Sequence, residues 1–266
     1  MKYLASVALA LAVAQATPVK RDAPQGIDVS SHQTGIDWNA VKNNGIEFVY
    51  IKATEGTDYT SPQFSSQYTG ATNAGLIRGS YHFARPDTTS GADQAKYFLS
   101  NGGGWSADGI TLPGALDIEY NPYGSDKCYG VSADDMVAWV MDFSNTYNSQ
   151  TGRYPVIYTT TDWWTTCTGN SAAFGANNPL WIARFASSIG DLPAGWGYTT
   201  FWQYADSGPN PGDADIFNGD SANLQKYVFS WRLEWRLNSL TLDPKQVCPR
   251  RLKVEVWNSQ WCFFSV

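Results

Sequence analysis

The chain has 266 residues, 43% of them hydrophobic and 16% charged, with 12 Trp, 15 Tyr and 12 Phe. That length and apolar content exclude disorder as its main state and suit one large domain with a substantial core. A net charge of −6 offers nucleic acid and anionic membranes no favourable long-range field, so neither is expected as a partner, and a neutral substrate fits better.

From the N-terminus, Lys2, the apolar run Leu4 to Val13 and Ala14-Gln15-Ala16 have the order of a secretory signal peptide over residues 1–16. Residues 17–21 end in Lys20-Arg21, a dibasic site that would release a chain starting at Asp22. Secretion to the extracellular space is therefore expected. No later segment approaches the roughly 20 apolar residues of a membrane span.

Between residues 22 and 228, short apolar runs read as buried strands: 26–29, 48–53, 77–83, 115–118, 156–159, 180–183, 201–204 and 214–217. Amphipathic stretches at 38–44, 64–74, 92–100 and 133–148 read as helices between the earlier strands, the last with Ser132 as its N-cap. Strand-helix alternation over about 200 residues predicts a mostly parallel sheet. Eight strands predict closure into a flattened, irregular (β/α) barrel with weak or missing helices in its later part. In such a barrel chemistry belongs at one rim.

Residues 23–228 carry 9 Lys/Arg against 20 Asp/Glu, whereas 229–266 carry 6 against 3. The basic tail also alternates apolar and polar residues and holds Cys248 and Cys262. It reads either as a small wall-binding appendage or as a stretch without functional role. Export permits disulfides. Three pairings of the four cysteines are formally allowed; the economical one joins Cys128 to Cys167 as a loop staple and leaves the other two to the tail. With two histidines and no close-set Cys/His cluster, neither a metal nor another cofactor is expected.

The chemistry-bearing feature is Leu116-Asp117-Ile118-Glu119, two acids at i and i+2 at the end of an apolar run, on one face of a strand. Desolvation and mutual repulsion raise the proton affinity of one of them, leaving an acid beside a base. Glycosidic cleavage needs that division. Other acids stand in equivalent places: Asp28 ends the first run, Glu55 follows the second, and Asp213 and Asp215 flank the last. No Gly-x-Ser-x-Gly elbow is present, and His32 and His82 read as structural, hydrogen-bonded residues.

Six blocks carry a resemblance: Gly26-Ile27-Asp28-Val29-Ser30 with His32-Gln33; Phe48 to Gly56; Gly79-Ser80-Tyr81-His82-Phe83; Leu116 to Glu119; Trp181-Ile182-Ala183-Arg184; and Trp202-Gln203-Tyr204. In this order, from about Gln25 to Tyr227, the chain resembles glycoside hydrolase family 25, the Chalaropsis-type lysozymes. A monomer is expected, and the resemblance implies a flattened β/α barrel that hydrolyses the β-1,4 bond between N-acetylmuramic acid and N-acetylglucosamine in bacterial peptidoglycan. It implies Glu119 as general acid and Asp117 as its partner, with Asp28 and Asp215 positioning the sugar and supporting charge. Glu55, Tyr81, Trp181 and Tyr204 are then substrate-binding candidates. A chitinase-like hydrolase and a non-catalytic wall-binding protein are the alternatives; the long D-x-x-D-x-D-x-E run of chitinases is absent.

Overall fold

The structure is a computed structural model that describes residues 23–229. The signal and dibasic segments, the tail beyond residue 229, and Cys248 and Cys262 lie outside the described residues.

The elements in chain order are β1 (Gln25–Val29), α1 (Trp38–Asn43), β2 (Ile46–Glu55), β3 (Tyr59–Thr60), α2 (Phe64–Asn73), β4 (Ile77–Phe83), α3 (Gly91–Ser100), β5 (Ala115–Asp117), α4 (Ala133–Thr151), β6 (Val156–Thr159), α5 (Thr161–Thr168), β7 (Leu180–Ala183), β8 (Phe201–Ala205), β9 (Asp213–Phe217) and α6 (Ser221–Phe229). Eight strands follow one another in the order β1-β9-β8-β7-β6-β5-β4-β2, and pairing of β1 with β2 closes the ring; β3 is an added two-residue partner of β2. The expected barrel is therefore present, with helices missing after β7 and β8.

Neighbours around the ring are parallel except at β9, which runs antiparallel to both β8 and β1. That reversal matters for the site: the amino end of β9 shares a rim with the carboxyl ends of the other strands, so Asp28 faces Asp213 in register and Gly26 faces Asp215.

Alternation along the strands sorts side chains to the two faces of the wall. One buried cluster takes Phe48 and Tyr50 from β2, Ile77 from β4, Ala115 from β5, Val156 from β6, Trp181 from β7, Phe201 from β8 and Phe217 from β9. Contributions from every side of a closed ring fill its lumen. The intervening residues, such as Leu116, Ile157, Leu180, Ile182 and Trp202, pack outward with Phe98, Val140, Phe143 and Trp163 of the helices. Gly26 and Gly79 make room inside: a Cβ on Gly26 would stand 2.3 Å from the Phe48 ring, and one on Gly79 2.6 Å from that of Tyr50.

Each helix start that matters here has a capping side chain. Ser132 accepts from the Asp135 N–H at the head of α4, as expected, and Thr160 accepts from Trp163 at the head of α5. These bonds satisfy amides that the first turn leaves open.

Cys128 and Cys167 are bonded, with Cα atoms 5.3 Å apart. The bridge joins a loop to a helix, since Cys167 is buried in α5. Closing a separation of 39 residues stabilises the fold by about 3–4 kcal/mol in the chain-entropy account. It also clamps residues 118–131, the segment that leaves β5. Trp163 Nε1 donates to Lys127 O at 3.0 Å, the Tyr120 hydroxyl to Asp162 Oδ2 at 2.7 Å, and Lys127 pairs with Asp162 at 3.5 Å.

Candidate active site

Apolar residues fill the lower lumen, so the next inward positions on the same strands form its mouth. Following alternation upward, these are Asp28 above Gly26, Lys52 above Tyr50, Tyr81 above Gly79, Asp117 above Ala115, Tyr158 above Val156 and Gln203 above Phe201, with Asp213 and Asp215 from β9. Glu119 stands one step beyond β5, where Ile118 N–H still bonds Tyr158 O at 3.0 Å. Asp28, Asp117, Glu119, Asp215 and Tyr81 are thereby brought into one electrostatic neighbourhood.

Gathering acids where water is scarce raises their proton affinities. Glu119 is pushed up to about 6, chiefly by burial. Asp117 is raised by burial and then by the Glu119 charge. The Lys52 ammonium acts downward on both. Asp117 and Glu119 thus titrate as a unit, and one proton with one nearby cation offsets the cost of two buried acids. Asp28 is pushed up to about 7, by burial first and the Asp213 charge second. Asp213 is also raised, by burial and by Asp206.

Asp215 is fully buried, and Trp181 Nε1 donates to its Oδ1 at 2.8 Å. Burial and the Asp28 charge hold its proton on, and a hydrogen bond from Asp215 in turn restrains the rise of Asp28. With no exposed surface, Asp215 acts on the mouth through Asp28. Trp181, at 2% exposure, lies beneath it: its ring stacks on Tyr50 at 4.8 Å and meets the Tyr158 ring edge-on at 4.8 Å. Trp181 is a floor and leaves no open face for stacking.

Glu55 ends β2 in a web of partners. Lys52 Nζ lies 2.7 Å from its Oε2, Arg85 3.8 Å from its Oε1, and the Tyr123 hydroxyl donates to it. It holds Lys52 in place and is itself neutralised. Tyr204 sits at the bulge of β8, its ring 5.9 Å from that of Trp202 and its hydroxyl 3.4 Å from Gln25 Oε1. Its ring packs with the outer cluster. His82 is buried between Thr54 at 2.8 Å and Gln94 at 2.9 Å, and burial lowers it to about 4, so it is neutral and structural. His32 is exposed.

Sequence reasoning passed over Lys52, Tyr158 and Gln203. The signal for Lys52 was a cation inside an otherwise apolar strand; for Gln203 it was an amide at an inward register position. Two exposed aromatics flank the rim as well: Tyr123, at 61%, in the segment after β5, and Phe185, at 56%, just past β7. Among the described residues no group of three or more His, Cys, Asp or Glu is arranged to hold a metal ion.

Comparison with known proteins identifies the family and the fold. The profile of Glycosyl hydrolases family 25 matches residues 27–213. The chain is 53% identical over 230 residues to an N,O-diacetylmuramidase of Arthroderma benhamiae, covering 85% of this chain and 97% of that protein. It is 52% identical over 206 residues to an N,O-diacetylmuramidase of Chalaropsis sp., covering 76% and 97% respectively. Among solved structures, a muramidase from Acremonium alcalophilum superposes with a TM-score of 0.76 at 60% identity, over 77% of this chain and 99% of that one. A family GH25 lysozyme from Aspergillus fumigatus superposes with a TM-score of 0.77 at 53% identity, over 78% and 99%.

Proposed function

From the premise that this chain belongs to glycosyl hydrolases family 25, we propose that it is a secreted muramidase, cleaving the β-1,4 bond between N-acetylmuramic acid and N-acetylglucosamine in peptidoglycan. The observation that carries the reading is the Asp117–Glu119 pair at the mouth of a closed barrel, both members raised in proton affinity by burial. Secretion rests on the order of charge, apolar run and Ala14-Gln15-Ala16 at the N-terminus.

Glu119, less buried than Asp117 and beyond the end of the strand, gives its proton to the leaving oxygen. Asp117, ionised at that moment, orients the substrate's own N-acetyl group as it closes on the anomeric carbon. This is substrate assistance in place of a protein nucleophile. Asp28 lends negative charge to the developing oxocarbenium ion, and Asp215 holds Asp28 from behind. Water then opens the cyclic intermediate, returning the proton to Glu119, so that charge and atoms balance over the cycle. Glu55 acts through Lys52, Tyr81 adjoins the acid cluster, and the exposed rings of Phe185 and of Tyr123, the latter backed by the Arg85 guanidinium at 4.2 Å, are offered to the glycan.

The test is a digestion of purified peptidoglycan and of chitin by the secreted chain, with the new reducing ends converted to sugar alcohols. A muramidase should give muramitol from peptidoglycan and no soluble product from chitin. Glucosaminitol as the sole new end, or efficient release from chitin, would overturn it.

A further inference from the structure

Gln203 is a neutral side chain in a ring of acids, and every polar atom of its amide is committed. It projects from β8 almost wholly buried. Its Nε2 donates to Asp28 Oδ2 of β1 at 2.7 Å and to Asp213 Oδ2 of β9 at 3.1 Å, while its Oε1 accepts the Tyr158 hydroxyl of β6 at 2.7 Å. Four strands of the barrel meet through this one group.

The orientation of the amide follows from the chemistry of its partners. Ionised carboxylates only accept, so a rotated amide would press Oε1 against two of them. The Tyr158 hydroxyl, donating from the other side, pins the oxygen end. Two acids that share one nitrogen would otherwise face each other with like charge in a poorly solvated mouth.

We propose that Gln203 is a positioning residue for the hydrolysis, oriented by Tyr158, that holds Asp28 and Asp213 as two acceptors of one amide and keeps the Asp28 carboxylate ionised toward the sugar. The inference rests on the charge-supporting role given to Asp28 above. Around Asp28 stand Asp213 and Asp215 from β9, Glu119 and Asp117 from the end of β5, Tyr81 from β4 and Tyr158 from β6. Lys52 from β2 is engaged with Glu55 and acts on the Asp117–Glu119 side. The Gln203 amide is thus, ahead of protonated Asp215, the larger of two neutral donors that counter the upward push on Asp28.

Turnover needs Asp28 and Asp117 ionised and Glu119 protonated, so raising the proton affinity of Asp28 pushes the optimum of kcat/KM upward. Removing the donor raises the proton affinity of Asp28, moves the optimum upward and lowers its peak. For Gln203→Met, a substitution of similar volume, we expect the optimum to rise by up to about half a pH unit and the peak kcat/KM to fall by up to about tenfold, if Asp28 gains about one unit. Tyr158→Phe frees the amide to turn and should shift the optimum in the same direction by less. The double variant should match Gln203→Met alone, because Tyr158 acts through Gln203.

An optimum unchanged in both single variants overturns the proposal, and so does a Tyr158→Phe effect that adds in full to that of Gln203→Met. Should Gln203→Met fail to fold, Tyr158→Phe decides: an upward shift supports the proposal and a wild-type optimum overturns it. Glu119→Gln, run beside them, separates this inference from the reading beneath it. An inert Glu119→Gln with unshifted Gln203→Met and Tyr158→Phe defeats only the positioning role, whereas a fully active Glu119→Gln defeats the assignment of the acid.

Discussion

Glu119→Gln is expected to lower the rate of wall lysis by about 10²- to 10⁴-fold, the usual worth of a positioned general acid, while leaving wall binding intact. The substitution keeps the shape of the side chain and its capacity to accept a hydrogen bond, but the amide has no proton to give. Glycosidic oxygen leaves poorly without one, so the loss should vanish for a leaving group that needs no help. A glycoside of N-acetylglucosamine or its muramic counterpart with a dinitrophenyl group should therefore be cleaved by Glu119→Gln far better, relative to wild type, than peptidoglycan is. Turbidity clearance, a pull-down on walls and a chromogenic assay together check the prediction. Wild-type lysis by the variant would remove Glu119 from the acid role.

Asp117→Asn is expected to lower kcat by about 10²- to 10³-fold, the range found when one preorganised electrostatic partner of a transition state is lost, with little change in KM. The reason lies in when its charge matters. Asp117 stands against a neutral N-acetyl group in the ground state and against a cationic ring in the transition state, so its contribution is differential. An activated leaving group should not rescue this variant, in contrast to Glu119→Gln. Rescue by the dinitrophenyl substrate, or a defect confined to KM, would contradict the assignment.

The two variants also bear on how the site is maintained in the folded state. Burying Asp28, Asp117, Glu119 and Asp215 in one mouth raises all four proton affinities, which costs stability as pH rises above the ordinary carboxyl range. The cost is met by features around the mouth: Lys52 held by Glu55, Trp181 donating to Asp215, and the amide of Gln203. The disulfide and the Tyr120–Asp162 and Lys127–Asp162 contacts anchor the segment on which Glu119 is carried. Such a site trades stability for chemistry.

Much of this was legible in the chain itself, for reasons that differ by residue. The strands were visible because β-branched and aromatic runs bounded by turns have few other uses, and the barrel followed from their number and alternation with helices. Asp28, Asp117 and Glu119 stood out because acids at the ends of apolar runs are costly unless they serve a purpose. Asp215 was visible too, but not that it sits beneath Asp28: that depends on β9 running backwards, which no local pattern reports.

Residues whose neighbours come from distant strands were harder to read. Gln203 and Tyr204 are adjacent, and the aromatic is the one that reads as a substrate-binding candidate, yet a bulge in β8 and the period of two place the amide in the mouth and the ring with Trp202. Trp181 reads as a substrate-binding candidate in the sequence; here the lumen is deep enough for Tyr50 and Phe201 to enclose it. The helix α5 went unseen because eight residues with two buried tryptophans show no clear polar stripe, and only the cap at Thr160 betrays it.

The most direct test is a carboxyl ¹³C titration of the free wild-type enzyme, with the resonances of residues 117 and 119 assigned through the two variants. The pair should still hold a proton at pH 5.5, with Glu119 titrating in a step near pH 6 and Asp117 keeping its proton above the ordinary carboxyl range. Both carboxyls fully ionised by pH 5, at the values of ordinary surface acids, would contradict it.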